Sequence, residues 1–354
     1  MKEMTPRERW MAMFNRQETD RVPTDYWWTP ELHARLLRDL NCTDFESLWR
    51  KLHIDRAAGV GAAWKPKTHP LNPKGDMWGI EYETIDYGTG AYTETAVHPL
   101  ANVQTVEEVH RYPWPSADDF EFGGITDFVA TYDRYRPVSC GGYEPFLLYA
   151  AMRGLEQAYE DLLVNQEIAA ASLGHIFDFN YELNRRSWEA GKGKIDYMYL
   201  AEDLGSQTGP LMSVELYRKF LLPNQKKMAD LAHSYDIKVF YHTDGAAQDF
   251  LPDLIDVVKI DLLNPIQWRC PGMERETLVK NWGDRVIFHG AMDNQQTLPF
   301  GTVEDVKREV RENLEIFKDS RWICAPCHNI QPLTPTANVL ALYETIRELG
   351  KHGG

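Results

Sequence analysis

The clearest indication of the fold is the stretch Lys238-Val239-Phe240-Tyr241-His242-Thr243-Asp244-Gly245, in which polar residues directly follow a short hydrophobic run. Such a run, bounded by turn residues, predicts a buried strand. The pattern recurs at 137–141, 197–201, 257–263, 285–288 and 322–324. Helical spacing lies between and after these runs, at 147–164, 166–191, 213–234, 246–255, 273–281, 303–317 and 336–350. Strands that alternate with helices predict a parallel sheet.

The N-terminal part is less regular. Two further strand candidates, 22–28 and 57–60, bring the number of predicted strands to eight, and residues 5–14 and 30–53 have helical character. Eight units without a Gly-x-Gly-x-x-Gly motif predict an α/β protein with a (β/α)8 TIM barrel and an N-terminal helical segment.

Residues 62–116 break the alternation of strands and helices. Within them, alternating residues at 82–87 and 91–95 flank Gly88-Thr89-Gly90 and predict a β-hairpin. The segment is too short to bury a core of its own. We therefore expect one domain that spans residues 1–354, with 62–116 inserted in it.

Composition excludes several classes of protein. The 354 residues carry a formal net charge of −15, which disfavours binding to nucleic acid or to anionic membrane surfaces. The N-terminus has no apolar signal region, and the five cysteines form no regular framework. We expect a cytoplasmic protein with reduced thiols, and the oligomeric state stays open.

Polar residues cluster where the predicted strands end, which is where barrel enzymes place their working residues. They are Glu202, Asp203, His242, Asp244, Asn264, His289, Asp293, Cys327 and His328. His242 and Asp244 lie on one side of an extended segment and suit a metal, or a base with an orienting acid. A capping aspartate beside a histidine bonded to backbone is the equally simple alternative.

The other candidates have alternatives as well. Cys324-x-x-Cys327 is a single pair, whereas structural zinc sites use two such pairs, so Cys327 and His328 are the better ligand candidates. Glu202 and Asp203 are adjacent, so at most one of them faces a pocket. His289 is either a pocket residue or a core histidine.

Several blocks of sequence resemble the uroporphyrinogen decarboxylase superfamily, which includes zinc- and corrinoid-linked methyltransferases. The blocks are residues 6–10, 20–23, 144–147, 202–207, 210–213, 217–220, 242–245, 286–293, 334–335 and 338–339. Their order and spacing cover nearly the whole chain. The resemblance implies a (β/α)8 barrel.

The chain departs from the decarboxylase at its first predicted strand. The superfamily enzyme has an Arg-rich segment there that grips the carboxylates of its substrate, and this chain has Trp27-Trp28-Thr29-Pro30-Glu31. A tetrapyrrole with many acid groups needs cations in its pocket. We therefore expect a chain closer to the methyltransferase-like branch, and no decarboxylation of uroporphyrinogen.

The methyltransferase branch implies a His-x-Cys…Cys zinc site. Its first ligand maps to His242, Asp244 stands in the first cysteine position, and the distal position falls at Cys327 or His328. A site with a carboxylate is harder than a thiolate-rich one. It suits zinc or another divalent metal and a methyl group bound to oxygen.

The leading hypothesis is a metal-dependent methyltransferase that moves a methyl group from a small O- or N-methyl substrate to a corrinoid. No Asp-x-His-x-x-Gly motif occurs, so a partner protein would carry the corrinoid. The predicted site residues are catalytic Glu202, His242 and His289, metal-binding His242, Asp244, Cys327 and His328, and substrate-binding Tyr26, Trp27, Trp28, Tyr241, Trp268 and Asp293.

Two alternatives remain. One is a metal-free decarboxylase or other lyase of a small carboxylated substrate, in which His242 and His328 shuttle protons. The other is a barrel that only binds a partner.

Overall fold

The computed structural model describes residues 3–65, 68–88 and 90–351, and eleven strands lie within them. They are β1 (Ala58–Val60), β2 (Ala63–Trp64), β3 (Glu81–Asp86), β4 (Ala91–Val97), β5 (Phe120–Glu121), β6 (Val138–Tyr143), β7 (Tyr197–Ala201), β8 (Lys238–His242), β9 (Leu262–Asn264), β10 (Ile287–Met292) and β11 (Trp322–Pro326). Seven of them form one parallel sheet in the order β1-β6-β7-β8-β9-β10-β11. The predicted parallel sheet is confirmed.

Helices connect these parallel strands. They are α1 (Pro6–Phe14), α2 (Pro30–Asp39), α3 (Phe45–Leu52), α4 (Val106–Arg111), α5 (Gly123–Tyr132), α6 (Pro145–Arg153), α7 (Leu155–Val164), α8 (Gln166–Gly191), α9 (Val214–Phe220), α10 (Leu222–Ser234), α11 (Leu251–Asp253), α12 (Arg275–Trp282), α13 (Thr297–Phe300), α14 (Val303–Ile316) and α15 (Thr336–Leu349). Within the described residues, no helix has the length and apolarity needed to cross a membrane.

The predicted strand at 257–263 is shorter in the structure. Leu254–Val258 form a π-helical turn that Lys259 ends in the left-handed conformation, and β9 begins only at Leu262. A buried apolar run fits a helical turn as well as a strand, so apolarity alone could not place this boundary.

The first predicted strand, 22–28, is also irregular. It makes isolated parallel bridges, Thr24 to Cys324 and Trp28 to Ile330. The backbone N–H of Thr24 bonds the Asp55 side chain, and Pro23 has no N–H, so a continuous ladder cannot form. On its other side, the N–H of Asp55 donates to the carbonyl of Thr24 at 2.9 Å. The segment 22–28 therefore lies between β11 and the residues that lead into β1, in the place of an eighth strand.

The alternating residues before and after Gly88 pair as antiparallel strands β3 and β4, in a sheet of their own. The turn residue Thr89 lies outside the described residues. A second small sheet joins β2 to β5. That residues 62–116 are an insertion remains a prediction.

Helix α1 covers one end of the main sheet. Trp10, Met13 and Phe14 pack with residues at the starts of strands, among them Tyr197 and Leu262. The Trp10 ring stacks on Tyr197, with ring centres 5.3 Å apart. Because α1 blocks the ends where the strands begin, the carboxyl ends are left for a site.

A buried ion network ties the N-terminal segment to β1. Arg9 donates to Asp55 and to Asp20, both at 2.6 Å, and Arg21 donates to Asp55 at 2.8 Å. Arg9 and Asp55 are almost completely buried. Their charges are tolerated because each is paired.

Substituting Asp55→Ala should therefore lower the free energy of unfolding by about 3–5 kcal/mol, since it leaves two guanidinium groups without this partner. Asp133→Ala, which removes the partner of the half-exposed Lys194, is the control and should cost about 1 kcal/mol or less. Urea unfolding followed by fluorescence measures both. Equal losses of unfolding free energy in the two variants would contradict a larger stabilising contribution from the buried Asp55 network.

Candidate metal centre and pocket

Three predicted ligands meet at the carboxyl ends of the strands. His242 ends β8, Asp244 follows two residues later, and His328 follows β11. One ligand atom from each lies within 4.8 Å of the others. His242 Nε2 is 3.7 Å from Asp244 Oδ1, and His328 Nε2 is 3.9 Å from Asp244 Oδ2. The structure brings these three side chains together, and their role as metal ligands stays a prediction.

The three residues fit a divalent metal. Asp244 Oδ1 is buried and has no hydrogen-bond partner among the described residues. A buried carboxylate oxygen without a partner is costly unless a cation or water satisfies it. Two imidazoles and a carboxylate are a ligand set that zinc accepts.

Other acids surround this cluster. Asp203 Oδ1 lies 3.9 Å from His242 Nε2. Burial raises the pKa of Asp244 and the pKa of Glu144, and the nearby Asp203 carboxylate raises both further. His242 has the opposite effect on both pKa values, but it does not cancel the rise. This crowding of acids would be relieved by a bound cation.

A close contact between two loops holds the acids in place. Gly245 has φ +74°, and a Cβ there would lie 2.4 Å from the carbonyl oxygen of Ser206. Only glycine allows this approach without strain. The loop that carries Asp203 and the loop that carries Asp244 are therefore packed against each other.

A chain of hydrogen bonds runs from His242 into the barrel. His242 Nδ1 and Asn264 Oδ1 are 2.6 Å apart, and Asn264 Nδ2 and His289 Nδ1 are 2.7 Å apart. His289 Nε2 lies 3.0 Å from Asp25 Oδ2. All four residues are buried. The candidate metal centre is thus linked by hydrogen bonds to segment 22–28, which lies in the place of an eighth strand.

In this series of hydrogen bonds, the donors and acceptors follow one consistent direction. Burial would raise the pKa of Asp25, but Arg56 and the hydrogen bond from His289 overcome it and lower the pKa to about 2, so Asp25 only accepts. His289 Nε2 must then donate, and because burial lowers the pKa of His289, its Nδ1 accepts from Asn264 Nδ2. Asn264 Oδ1 therefore accepts from His242 Nδ1. The nitrogen of His242 that faces Asp244 is the one left for a metal.

A cavity of about 380 Å³ adjoins the centre. Its lining is aromatic with a few polar groups: Asp25, Trp27, Trp28, Arg56, Ser139, Tyr197, Tyr199, Phe240 and Asn329. The Trp27 ring lies 5.6 Å from that of His242 and 6.2 Å from that of His328. The cavity and the candidate ligands therefore form one site.

Not every predicted residue reaches this site. Cys327 is buried, and its Sγ donates to the carbonyl of Ile266 at 3.1 Å, outside the ligand cluster. Burial raises the pKa of Cys327 well above its usual value, so the thiol keeps its proton. His328, and not Cys327, occupies the distal position.

Glu202 is likewise directed away from the centre. Its carboxyl group accepts from the backbone N–H groups of Phe146 and Leu147, at 2.7 and 3.1 Å, in the first turn of α6. Of the two adjacent acids, Asp203 is the one that faces His242. Spacing alone allowed either arrangement, and the position of α6 decided it.

Among the predicted substrate-binding residues, Trp27 and Trp28 line the cavity. Tyr26 and Tyr241 are not among the lining residues: Tyr241 alternates with Phe240 and His242 of β8 and points outward, and Tyr26 is buried behind Trp28. Tyr26 stacks on Trp28 with ring centres 4.9 Å apart, and Tyr241 bonds Gln225 of α10.

Trp268 and Asp293 lie outside the cavity as well. Arg269 stacks on Trp268 and donates to Asp293 at 2.6 Å. The Asp293 carboxylate also accepts from backbone N–H groups of residues 295–297. Its oxygens are therefore already used within its own loop.

Asp25 and Arg56 are functional candidates that sequence reasoning missed. A signal existed for Asp25, because an acid between apolar residues in a predicted strand is unusual unless it is paired. Arg56 precedes a strand and carried no such signal.

Comparison with known proteins places the chain in a family. The family model for uroporphyrinogen decarboxylase (URO-D) matches residues 85–349, and the chain belongs to this family. Its relatives include methylcobamide:CoM methyltransferase MtbA of Methanosarcina acetivorans, 23% identical over 97% of this chain and 98% of that protein. The same enzyme of Methanosarcina mazei is 22% identical over the same shares.

A solved structure agrees with the fold. A methyltransferase from Methanosarcina mazei superposes with a TM-score of 0.66 at 20% identity, over 98% of this chain and 99% of that one. The predicted resemblance to the methyltransferase-like branch is confirmed.

Asn264→Ala should weaken zinc binding about 10- to 100-fold, because it removes the group that orients His242. Asn338→Ala is the matched control, since the buried amide of Asn338 bonds only the carbonyls of Leu298 and Gly301. Competition with a chromophoric chelator measures the affinity. Equal effects of the two substitutions would contradict an orienting role for Asn264.

Proposed function

We propose that the protein is a metal-dependent methyltransferase that moves a methyl group from a small O- or N-methylated substrate to a separate corrinoid protein. The observation that carries this proposal is the His242, Asp244 and His328 cluster at the carboxyl ends of the strands. It is supported by relatives that are named methylcobamide:CoM methyltransferase and match this chain along its length.

His242, Asp244 and His328 would hold zinc or another divalent metal. When bound, the metal supplies Lewis-acid polarisation of the substrate heteroatom. A carboxylate in place of a thiolate makes the ligand set harder, which suits an oxygen-bound methyl group better than a thiol. This difference from a thiolate-rich site favours a methyl ether as the donor.

The chain's own residues would prepare the substrate. Asn264 keeps His242 Nε2 directed at the cluster, and Trp27 covers the cluster from the cavity side. The Asp203 side chain is 33% exposed, and its Oδ1 lies 3.9 Å from His242 Nε2. We assign the proton transfer to the leaving heteroatom to Asp203, in place of its neighbour Glu202, which was predicted to be a catalytic residue.

Metal content tests the first part of the proposal. Protein purified without a nickel column should contain about one ion per chain, because three protein ligands are typical of a catalytic zinc site. His242→Ala, Asp244→Ala and His328→Ala should lose it, whereas Cys327→Ala should keep it. Wild-type protein that holds and takes up no metal would contradict the proposal and favour the metal-free lyase.

Methyl transfer tests the second part. With a methyl ether and an isolated corrinoid protein, the corrinoid absorbance should change at a rate that Asp203→Asn lowers by about 10²- to 10⁴-fold, the usual contribution of a general acid. Glu202→Gln is the matched control, since the Glu202 carboxyl group accepts from backbone N–H groups of α6 and is not part of the ligand cluster. If Glu202→Gln lowered the rate of methyl transfer more than Asp203→Asn, the proton transfer would have to be assigned to Glu202 instead of Asp203.

A further inference from the structure

Arg56 presents open hydrogen-bond donors to the cavity. Its Nη1 donates to Asp25 Oδ1 at 3.2 Å and to the carbonyl of Tyr26 at 2.7 Å. Among the described residues, nothing accepts from its Nε or Nη2. The side chain is 28% exposed and lines the cavity. A guanidinium group has five N–H donors in a rigid fork, so donors remain for a ligand.

Trp27 spans the distance between Arg56 and the candidate metal centre. Its ring centre is 5.8 Å from Arg56 Cζ and 5.6 Å from the His242 ring. Phe240 lies nearly parallel to it, at 6.3 Å and 16°. A flat ligand about one aromatic ring long would therefore reach from the guanidinium group to His242.

Charge separates the two ends of this site. At one end, the Arg56 guanidinium group shares Nη1 with the ionised Asp25 carboxylate and keeps Nε and Nη2 for a ligand, whereas Asp203 and Asp244 lie at the other end without a guanidinium partner among the described residues. A carboxylate would be repelled by the acids and attracted to Arg56, which can bind it through two parallel hydrogen bonds. A quaternary ammonium group would suit the aromatic walls but would meet the Arg56 charge.

We propose that the substrate is a small aromatic carboxylate with a methylated heteroatom, and that Arg56 binds its carboxylate while the heteroatom faces His242, Asp244 and His328. This inference rests on the proposed function, because it names the substrate class of the same site. Arg56 is then a substrate-binding residue that sets the orientation of the ligand.

The bond changes follow from that orientation. The bond between the methyl carbon and the heteroatom breaks, and the heteroatom keeps the electron pair and takes up a proton supplied from solvent. The methyl group passes to the corrinoid of the partner protein. The carboxylate is unchanged, so a methoxybenzoate yields a hydroxybenzoate.

Binding of 4-methoxybenzoate and its neutral analogue 4-methoxybenzamide tests the inference. Titration calorimetry should show the acid binding to wild-type protein about 10- to 100-fold more tightly than the amide, as expected for charge-assisted hydrogen bonds. Arg56→Gln should abolish this preference, and Arg56→Lys should retain part of it. Equal binding of acid and amide to the wild type would overturn the inference.

Arg269→Gln is the matched control, because Arg269 also pairs with an aspartate and stacks on a tryptophan, but outside the cavity. It should leave the preference for the acid intact. A preference that survives in Arg56→Gln, or is lost equally in Arg269→Gln, would overturn the inference. If Arg56→Gln does not fold, the comparison of the two ligands on wild-type protein decides.

His242→Ala separates this inference from the proposed function. If this variant binds no metal and transfers no methyl group but prefers the acid, the Arg56 subsite is supported independently. If wild-type protein binds the acid at Arg56 yet holds no metal, the proposed function fails and the anion subsite stands. Tighter binding of tetramethylammonium than of 4-methoxybenzoate would overturn the subsite itself.

Discussion

The buried carboxylate of Asp25 is the interaction on which both the ring of strands and the site depend. It accepts hydrogen bonds from His289 Nε2 and Trp27 Nε1, each at 3.0 Å, and it pairs with Arg56. A charge in this position is tolerable only because these partners satisfy it. Asp25 belongs to the irregular segment that completes the ring, so the groups that pair its charge also hold that segment beside β11 and β1. The same carboxylate then fixes the direction of the hydrogen bonds that lead to His242.

The site shows how one barrel can serve different chemistry. The strands and helices provide a frame whose carboxyl ends hold the reactive groups, and the chemistry depends on which side chains stand there. Here acids and imidazoles meet at the open end, while aromatic rings, the Arg56–Asp25 ion pair and two smaller polar side chains line the cavity. The donors of Arg56 that Asp25 leaves free would favour a ligand with one anionic end. Such a pocket differs from one built to hold many carboxylates.

Much of the site could be predicted from periodicity. The run 238–241 predicted a strand, and alternation placed His242 and Asp244 on one side, where the structure has them. The same alternation, applied to the first strand, would have directed Asp25 and Trp27 inward and Tyr26 outward. It would also have directed Tyr241 outward. Tyr26 and Tyr241 were predicted to bind substrate because they are aromatic, and the direction of their side chains along the strand was not considered. The choice between Glu202 and Asp203 was different, because it depended on where α6 begins in space.

Residue patterns were enough to predict the parallel sheet, most of its helices and the set of polar residues at the strand ends. These features follow from local spacing, since burial of a strand or helix face imposes a period on nearby residues. Residue patterns could not show that His328 and not Cys327 meets Asp244, or that Asn264 and His289 connect His242 to Asp25; the packing of the folded chain shows both. His289 and Asp25 are 264 positions apart in the chain. Contacts of that kind depend on how distant segments pack and on which buried donors and acceptors remain to be satisfied, and no local period records either.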